Sequence, residues 1–188
     1  MHKSEPLKWL MFLAQLPAAP SSARVTLWRR LKAAGASGFM TGAWVLPASA
    51  AHEALFKHLA ETVRDQEGQA AVFVADAVDG GDDGVIERFR ADRAREYGEF
   101  DERSRALITE IEKERRKKKF TFAELEEIED DLEKLTTWLA KIEARDFFPN
   151  EKQKGARQRL AECTAACTGF SEQVYAHEGL EGSDEENP

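Results

Sequence analysis

The rhythm of apolar and polar positions along the chain changes near residue 80. Before that point, short apolar runs alternate with amphipathic stretches. Trp9 to Leu16 is a compact apolar run bounded by Pro17 and Pro20, the length of a buried strand. Pro20-Ser21-Ser22 then supplies a helix start, Leu27, Trp28 and Leu31 share one helical face, and Gly35 stops the helix. Two short apolar segments, Gly38 to Met40 and Ala43 to Leu46, flank Thr41-Gly42, where glycine allows the positive φ of a tight hairpin. Ser49 caps a helix from about Ala51 to Gln66, with Leu55, Leu59 and Val63 four residues apart and Gly68 closing it. Ala70 to Val78 reads as a last strand. The predicted order is β-α-β-β-α-β, a ferredoxin-like unit within an α+β fold.

The cluster Gly80-Gly81-Asp82-Asp83-Gly84 marks a composition shift, beyond which the pattern is purely helical. A long helix is expected from near Val85 to about Lys119, its stripe of Ile86, Phe89, Tyr97, Phe100, Leu107 and Ile111 interrupted by Arg93 and Ser104. Thr121 and Glu124 form a capping box for a second helix, in which Leu125, Ile128, Leu132, Leu135, Leu139 and Ile142 alternate three and four apart, the spacing of coiled-coil packing. Pro149 breaks the chain and Asn150 caps a third helix, with a seam of Leu160, Cys163, Cys167, Phe170 and Val174. Short connections predict antiparallel neighbours. The expected organisation is a ferredoxin-like domain over 1–81, an antiparallel bundle of three long helices over 82–178, and a disordered acidic tail over 179–188. No internal repeat is visible.

With 42% hydrophobic and 33% charged residues, the chain falls among globular proteins. A net charge of -8 argues against indiscriminate coating of nucleic acid. The charge is unevenly distributed, however: through Ala50, Lys3, Lys8, Arg24, Arg29, Arg30 and Lys32 stand against Glu5 alone. A basic first unit on an acidic remainder leaves room for an anionic partner. The start of the chain superficially mimics a secretory signal, with His2, Lys3 and Lys8 ahead of an apolar run, but Gln15 interrupts that run and a well-formed helix follows. No stretch reaches the roughly 20 apolar residues of a membrane span. Cys163 and Cys167, four residues apart on one helix, are poorly placed for a mutual disulfide, which suits a reducing compartment. A cytoplasmic protein without a membrane partner is expected.

Three constellations bear on chemistry. On the first helix, Arg29, Arg30 and Lys32 project away from the apolar stripe, while Ser21, Ser22 and Arg24 surround its N-terminus. Free backbone N–H groups and the helix dipole favour phosphate or another oxyanion there, and Arg24 is placed to clamp it. A solvated helix face would carry the same residues. The run Arg115-Arg116-Lys117-Lys118-Lys119 suits the dipole at a helix C-terminus and is a second candidate for contact with DNA backbone; a solvated turn accounts for it equally. Cys163, Cys167 and His177 suggest metal or redox sensing, but both thiols occupy seam positions where cysteine acts as a small hydrophobe. Arg93, Tyr97, Arg145 and Asp146 read as bracing between helices. No metal site, cofactor or catalytic set is expected: the carboxylates of the acidic block from Glu124 to Glu133 mostly face water, and neither a nucleophile with a base nor a glycine-rich phosphate loop is present.

Trp9 to Pro17, PSSARVTLWRRLKAAGA, the hairpin ending in WVLPAS, the segment Arg93 to Tyr97, KFTFAELEE and the RDFF of Arg145 to Phe148 together resemble the ChrB amino-terminal family, in the same order and over most of the chain through Tyr175. The resemblance implies a chromate-responsive transcriptional regulator that accompanies a chromate efflux transporter and binds its promoter DNA. With those ligands, the constellations above put Arg29, Arg30, Lys32, Arg115, Arg116 and Lys117 forward for DNA, and Ser21, Ser22 and Arg24 for chromate or another oxyanion. The first unit is also similar to the ferredoxin-like domain of the PaaX phenylacetate repressor and of small CRISPR-associated nucleases. In those nucleases an Asp ends the first strand and holds a metal, whereas this sequence has Gln15, a poor ligand for a hard cation. A typical ChrB protein continues into a second large domain, one place for chromate sensing, while this sequence stops in the acidic tail. A non-DNA-binding helper or assembly module, built on the helical arm, is the alternative function. The seam of the second long helix fits pairing within one chain or a homodimer.

Overall fold

The computed structural model describes residues 7–18, 21–78 and 80–179. His2, Lys3, Pro20 and all but the first residue of the expected acidic tail lie outside them. The element order is β1 (Lys8–Gln15), α1 (Ser21–Ala33), β2 (Ser37–Met40), β3 (Ala43–Pro47), α2 (Ala50–Asp65), β4 (Gln69–Asp76), α3 (Gly81–Lys117), α4 (Phe122–Glu143) and α5 (Glu151–His177). The protein is α+β, with a small antiparallel sheet and mostly helices. By its contacts the chain divides into two units: one runs to Asp92 and includes Arg145–Phe148, the other holds Arg93–Ala144 and the chain from Pro149. The division falls inside α3.

In the first unit the four strands lie in the order β2-β3-β1-β4, every neighbour antiparallel. Phe12 meets Phe56 of α2 on one face, with ring centroids 5.2 Å apart. Side chains of β1 alternate across the sheet, so Trp9 projects from the opposite face. There it stacks on Phe89 at 5.8 Å and meets Phe148 at 6.0 Å. The Trp9 indole N–H donates to Asp82 Oδ1 at 2.6 Å, satisfying a donor that burial would otherwise strand. This bond bears on where α3 begins. The glycine cluster suggests a helix start near Val85, but the helix is formed from Gly81: Asp82 and Asp83 complement the positive end of its dipole, and Asp82 is fixed by the indole. Phe147 and Phe148, which the sequence places just before the break at Pro149, pack on the core of the first unit.

The second unit is built from the remainder of α3 with α4 and α5, which share one core of Tyr97, Phe100, Ile111, Leu125, Ile142, Phe170 and their neighbours. The seam predicted for α4 faces that core, with Leu132 only partly buried. Contacts fix the helix directions. Phe100 lies against Trp138, and Arg157 pairs with Glu143, so consecutive helices are antiparallel. Arg159 pairs with Asp101 while Arg115 reaches Ala166, so α3 and α5 run the same way. On α3, Arg93, Ser104 and Glu114 continue the heptad of Tyr97, Phe100, Leu107 and Ile111, and all three are buried. Two of these polar insertions have a local ion pair, Arg93 with Glu96 at 3.1 Å and Glu114 with Lys117 at 2.9 Å. The Ser104 hydroxyl is buried without a hydrogen-bond partner among the described residues, and only its carbonyl is engaged, accepting the Cys163 S–H at 3.4 Å.

Candidate functional site

α1 carries no acidic residue along its length, so its cations meet no carboxylate on their own helix. Leu31 is its one fully buried side chain, which makes the helix's contact with the sheet narrow and leaves the rest of its circumference open. Arg29 and Arg30 are exposed, and neither forms an ion pair among the described residues. Lys32 differs: its ammonium lies 3.4 Å from Asp92 Oδ2 and 5.8 Å from the centroid of the Trp44 ring, tying the end of α1 into the first unit. Ser37 Oγ donates to the same carboxylate at 3.3 Å.

At the other end of α1, Ser21 and Ser22 are exposed in its first turn. Arg24 is exposed too, but its Nη1 turns back to donate to the Pro17 carbonyl at 2.6 Å and to the Ala18 carbonyl. Those acceptors are neutral, so the guanidinium charge is not cancelled by a carboxylate. Arg24, Arg29 and Arg30 therefore give α1 three uncompensated positive charges. The same helix displays Trp28 at 52% exposure, beside Val25 at 44%. Sequence reasoning assigned Trp28 to the apolar face with Leu31; the narrow contact of α1 instead leaves most of the indole in solvent. An exposed indole among guanidinium groups is a feature the apolar pattern did not signal. It offers an apolar or stacking surface beside the charges.

The basic run at the end of α3 is largely occupied within the second unit. Arg115 Nη2 donates to the Ala166 carbonyl on α5 at 3.1 Å, and a Cβ on Gly169 would fall 2.9 Å from that nitrogen, so the absent side chain makes room for the guanidinium. Lys117 pairs with Glu114, and Lys119 pairs with Glu124. Arg116 and Lys118 are exposed and form no ion pair among the described residues. The six residues put forward for DNA thus divide between the two units: Arg29, Arg30 and Lys32 on α1 of the first, and Arg115, Arg116 and Lys117 in the second.

Cys163 and Cys167 are buried in the core of the second unit, and burial pushes both thiols above their ordinary range. Thiolate is the nucleophile and metal ligand, so both are held in their inert form. The native protein at pH 8 is expected to react with a thiol-specific chromogenic reagent at least about 100-fold more slowly than the unfolded chain, which should titrate as two thiols. Fast native reaction would place a thiol outside the core. Among the described residues, no group of three or more His, Cys, Asp or Glu is arranged to hold a metal ion, and no helix is long and apolar enough to cross a membrane.

These features define the class: an α+β protein whose small antiparallel sheet carries a cationic, half-bare helix, continued by a unit of long helices. The family described as "Protein ChrB, N-terminal" matches residues 24–181, and the chain belongs to that family. Protein ChrB of Cupriavidus metallidurans is 33% identical over 94 residues, a match covering 49% of this chain and 28% of that protein.

Proposed function

We propose that this chain is the DNA-contacting part of a transcriptional regulator of chromate resistance, and that α1 is the helix that meets the phosphate backbone. The chain acts in this reading by binding, not as an enzyme. The observation that carries it is the state of Arg29 and Arg30: exposed, unpaired among the described residues, and on a helix without an acid. Membership of the ChrB amino-terminal family supports the link to chromate resistance. The strand order β2-β3-β1-β4 and the β-α-β-β-α-β sequence support a ferredoxin-like description of the first unit. Ser21, Ser22 and the first N–H groups of α1 suit one phosphate, and the same chemistry would accept chromate or another oxyanion effector. Arg116 is a secondary contact, whereas Arg115 and Lys117 serve mainly to hold the second unit together.

Phosphate contacts release counterions, so the affinity for promoter DNA should fall steeply with salt. Replacing Arg29 and Arg30 together by alanine is expected to flatten the slope of log affinity against log salt by about 2, close to one per lost contact. Gel-shift titrations at several salt concentrations measure this. A slope unchanged by the double substitution removes α1 from the interface. Absence of binding to the promoter even at low salt leaves the helper or assembly reading in its place.

A further inference from the structure

The two edges of the sheet in the first unit are built differently. β2 is four residues long, its register with β3 shifts between Gly38 and Met40, and the Arg88 guanidinium lies over the Phe39 ring at 5.0 Å. Shortness, irregularity and a covering charge are the ordinary ways of blunting an edge. β4 is neither short nor irregular, and the Arg64 guanidinium reaches it only at the Ala70 carbonyl, near one end. The strand is eight residues long, pairs in unbroken register with β1 and, among the described residues, with no other strand; it contains no proline and no lysine. Phe73 on one face is 51% exposed and Val74 on the other is 60% exposed.

The segment Ala71-Val72-Phe73-Val74-Ala75 reads the same in both directions. An antiparallel copy centred on Phe73 therefore sets Phe73 against its own symmetry mate, Val72 against Val74, and Ala71 against Ala75. The backbone agrees with that register. Ala14 N–H donates to Gly42 O and Lys8 O accepts from Ala48 N–H, so the even-numbered residues of β1 turn their peptide groups toward β3. The odd-numbered ones bond to Gln69, Ala71, Phe73 and Ala75 of β4. Ala70, Val72, Val74 and Asp76 then present their N–H and C=O groups to the open side. A two-fold axis at Phe73 pairs Val72 with Val74 and Ala70 with Asp76, each a residue whose peptide groups face outward. Charge fits as well. Arg64 Nη2 is held on the Ala70 carbonyl at 3.0 Å, so in this register it arrives beside the Asp76 carboxylate of the other copy. Neither Arg64 nor Asp76 has an ion-pair partner in its own chain among the described residues.

We propose that β4 is the seam of a symmetric dimer, in which a second copy of this chain adds its own β4 antiparallel to make one eight-stranded sheet, locked at both ends by Arg64–Asp76 pairs. The dimer is isologous, and its formation does not depend on the nucleic-acid reading.

Sedimentation of the full chain over about 1 to about 200 µM tests it, with a concentration-dependent dimer expected for the wild type. Val72→Pro removes an outward-facing N–H and no bond of the β1 ladder, so it should leave the fold intact and weaken dimerisation by about 30-fold. Phe73→Lys, which sets two ammonium groups together at the two-fold, should do the same and decides the matter if the proline variant misfolds. Asp76→Arg should weaken the dimer, and Arg64→Asp with Asp76→Arg should restore it, a rescue that mere loss of structure would not give. A wild type that stays monomeric throughout overturns the proposal, including the case where the edge captures some other protein. So does a dimer that persists in folded Val72→Pro or Phe73→Lys, or one that the charge exchange fails to rescue.

Discussion

Gly35→Ala is expected to destabilise the first unit by about 3 kcal/mol, the sum of a left-handed backbone penalty and an overpacking cost. Gly35 sits at φ +79°, and a Cβ there would fall 2.5 Å from the Cβ of Arg145 and 3.1 Å from its carbonyl oxygen. The obstacle is chiefly main chain and the first side-chain carbon, which no rotamer change can move. Relief requires the turn after α1 or the segment Arg145–Phe148 to shift. That segment delivers Phe147 and Phe148 to the rings of Phe89 and Trp9, so the strain should spread to the aromatic cluster. Urea unfolding measures the stability loss, and near-ultraviolet circular dichroism reports the loosened Trp9 environment. A variant as stable as the wild type would show that the close approach is not a constraint on the fold.

Phe100→Ala should act on the second unit with an effect of about 3 to 5 kcal/mol. Phe100 is fully buried, lies edge-on to Trp138 at 5.9 Å, and belongs to the core shared by α3, α4 and α5. Removing the ring takes away its transfer free energy and leaves a cavity that three packed helices can close only in part. Hydrogen exchange at the amides of α4 is the direct readout, because protection there depends on the shared core. Leu132→Ala, at a half-buried position of the same seam, should cost clearly less. A loss below about 1 kcal/mol for Phe100→Ala would mean that the three helices do not share one cooperative core.

The first unit was largely legible in the sequence because its signals are local. A short apolar run between prolines, a glycine hairpin and a serine cap each act within a few residues, and β1, the β2-β3 hairpin and α2 follow from them. The seam of α4 was legible because a three-four alternation without error leaves one face to bury. What escaped depends on partners far away in the chain. Gly81 to Gly84 reads as a loop until Asp82 finds the Trp9 indole, 73 residues distant. Nothing near Phe147-Phe148 says which core they enter. Arg115 looks like one cation in a basic run, but the carbonyl of Ala166 and the vacant side of Gly169, which turn it into a tie between helices, lie on α5. Glu114 lies on the buried stripe of α3, a place where an acid is not expected. Trp28 failed in the opposite direction: its helical angle is close to that of Leu31, but α1 touches the sheet along too narrow a line to cover an indole. On α1, the sequence separates charges from core correctly at Arg29 and Arg30, while Lys32, at the flank, meets Asp92 from α3.

The most direct test is a titration of the isotopically labelled chain with duplex promoter DNA at low salt, followed by backbone amide resonances. Shifts and broadening concentrated in residues 21–33, strongest around Arg29 and Arg30, with those of α5 nearly unmoved, are the expected result. Perturbations confined to the helical unit, with α1 silent at saturation, would contradict it.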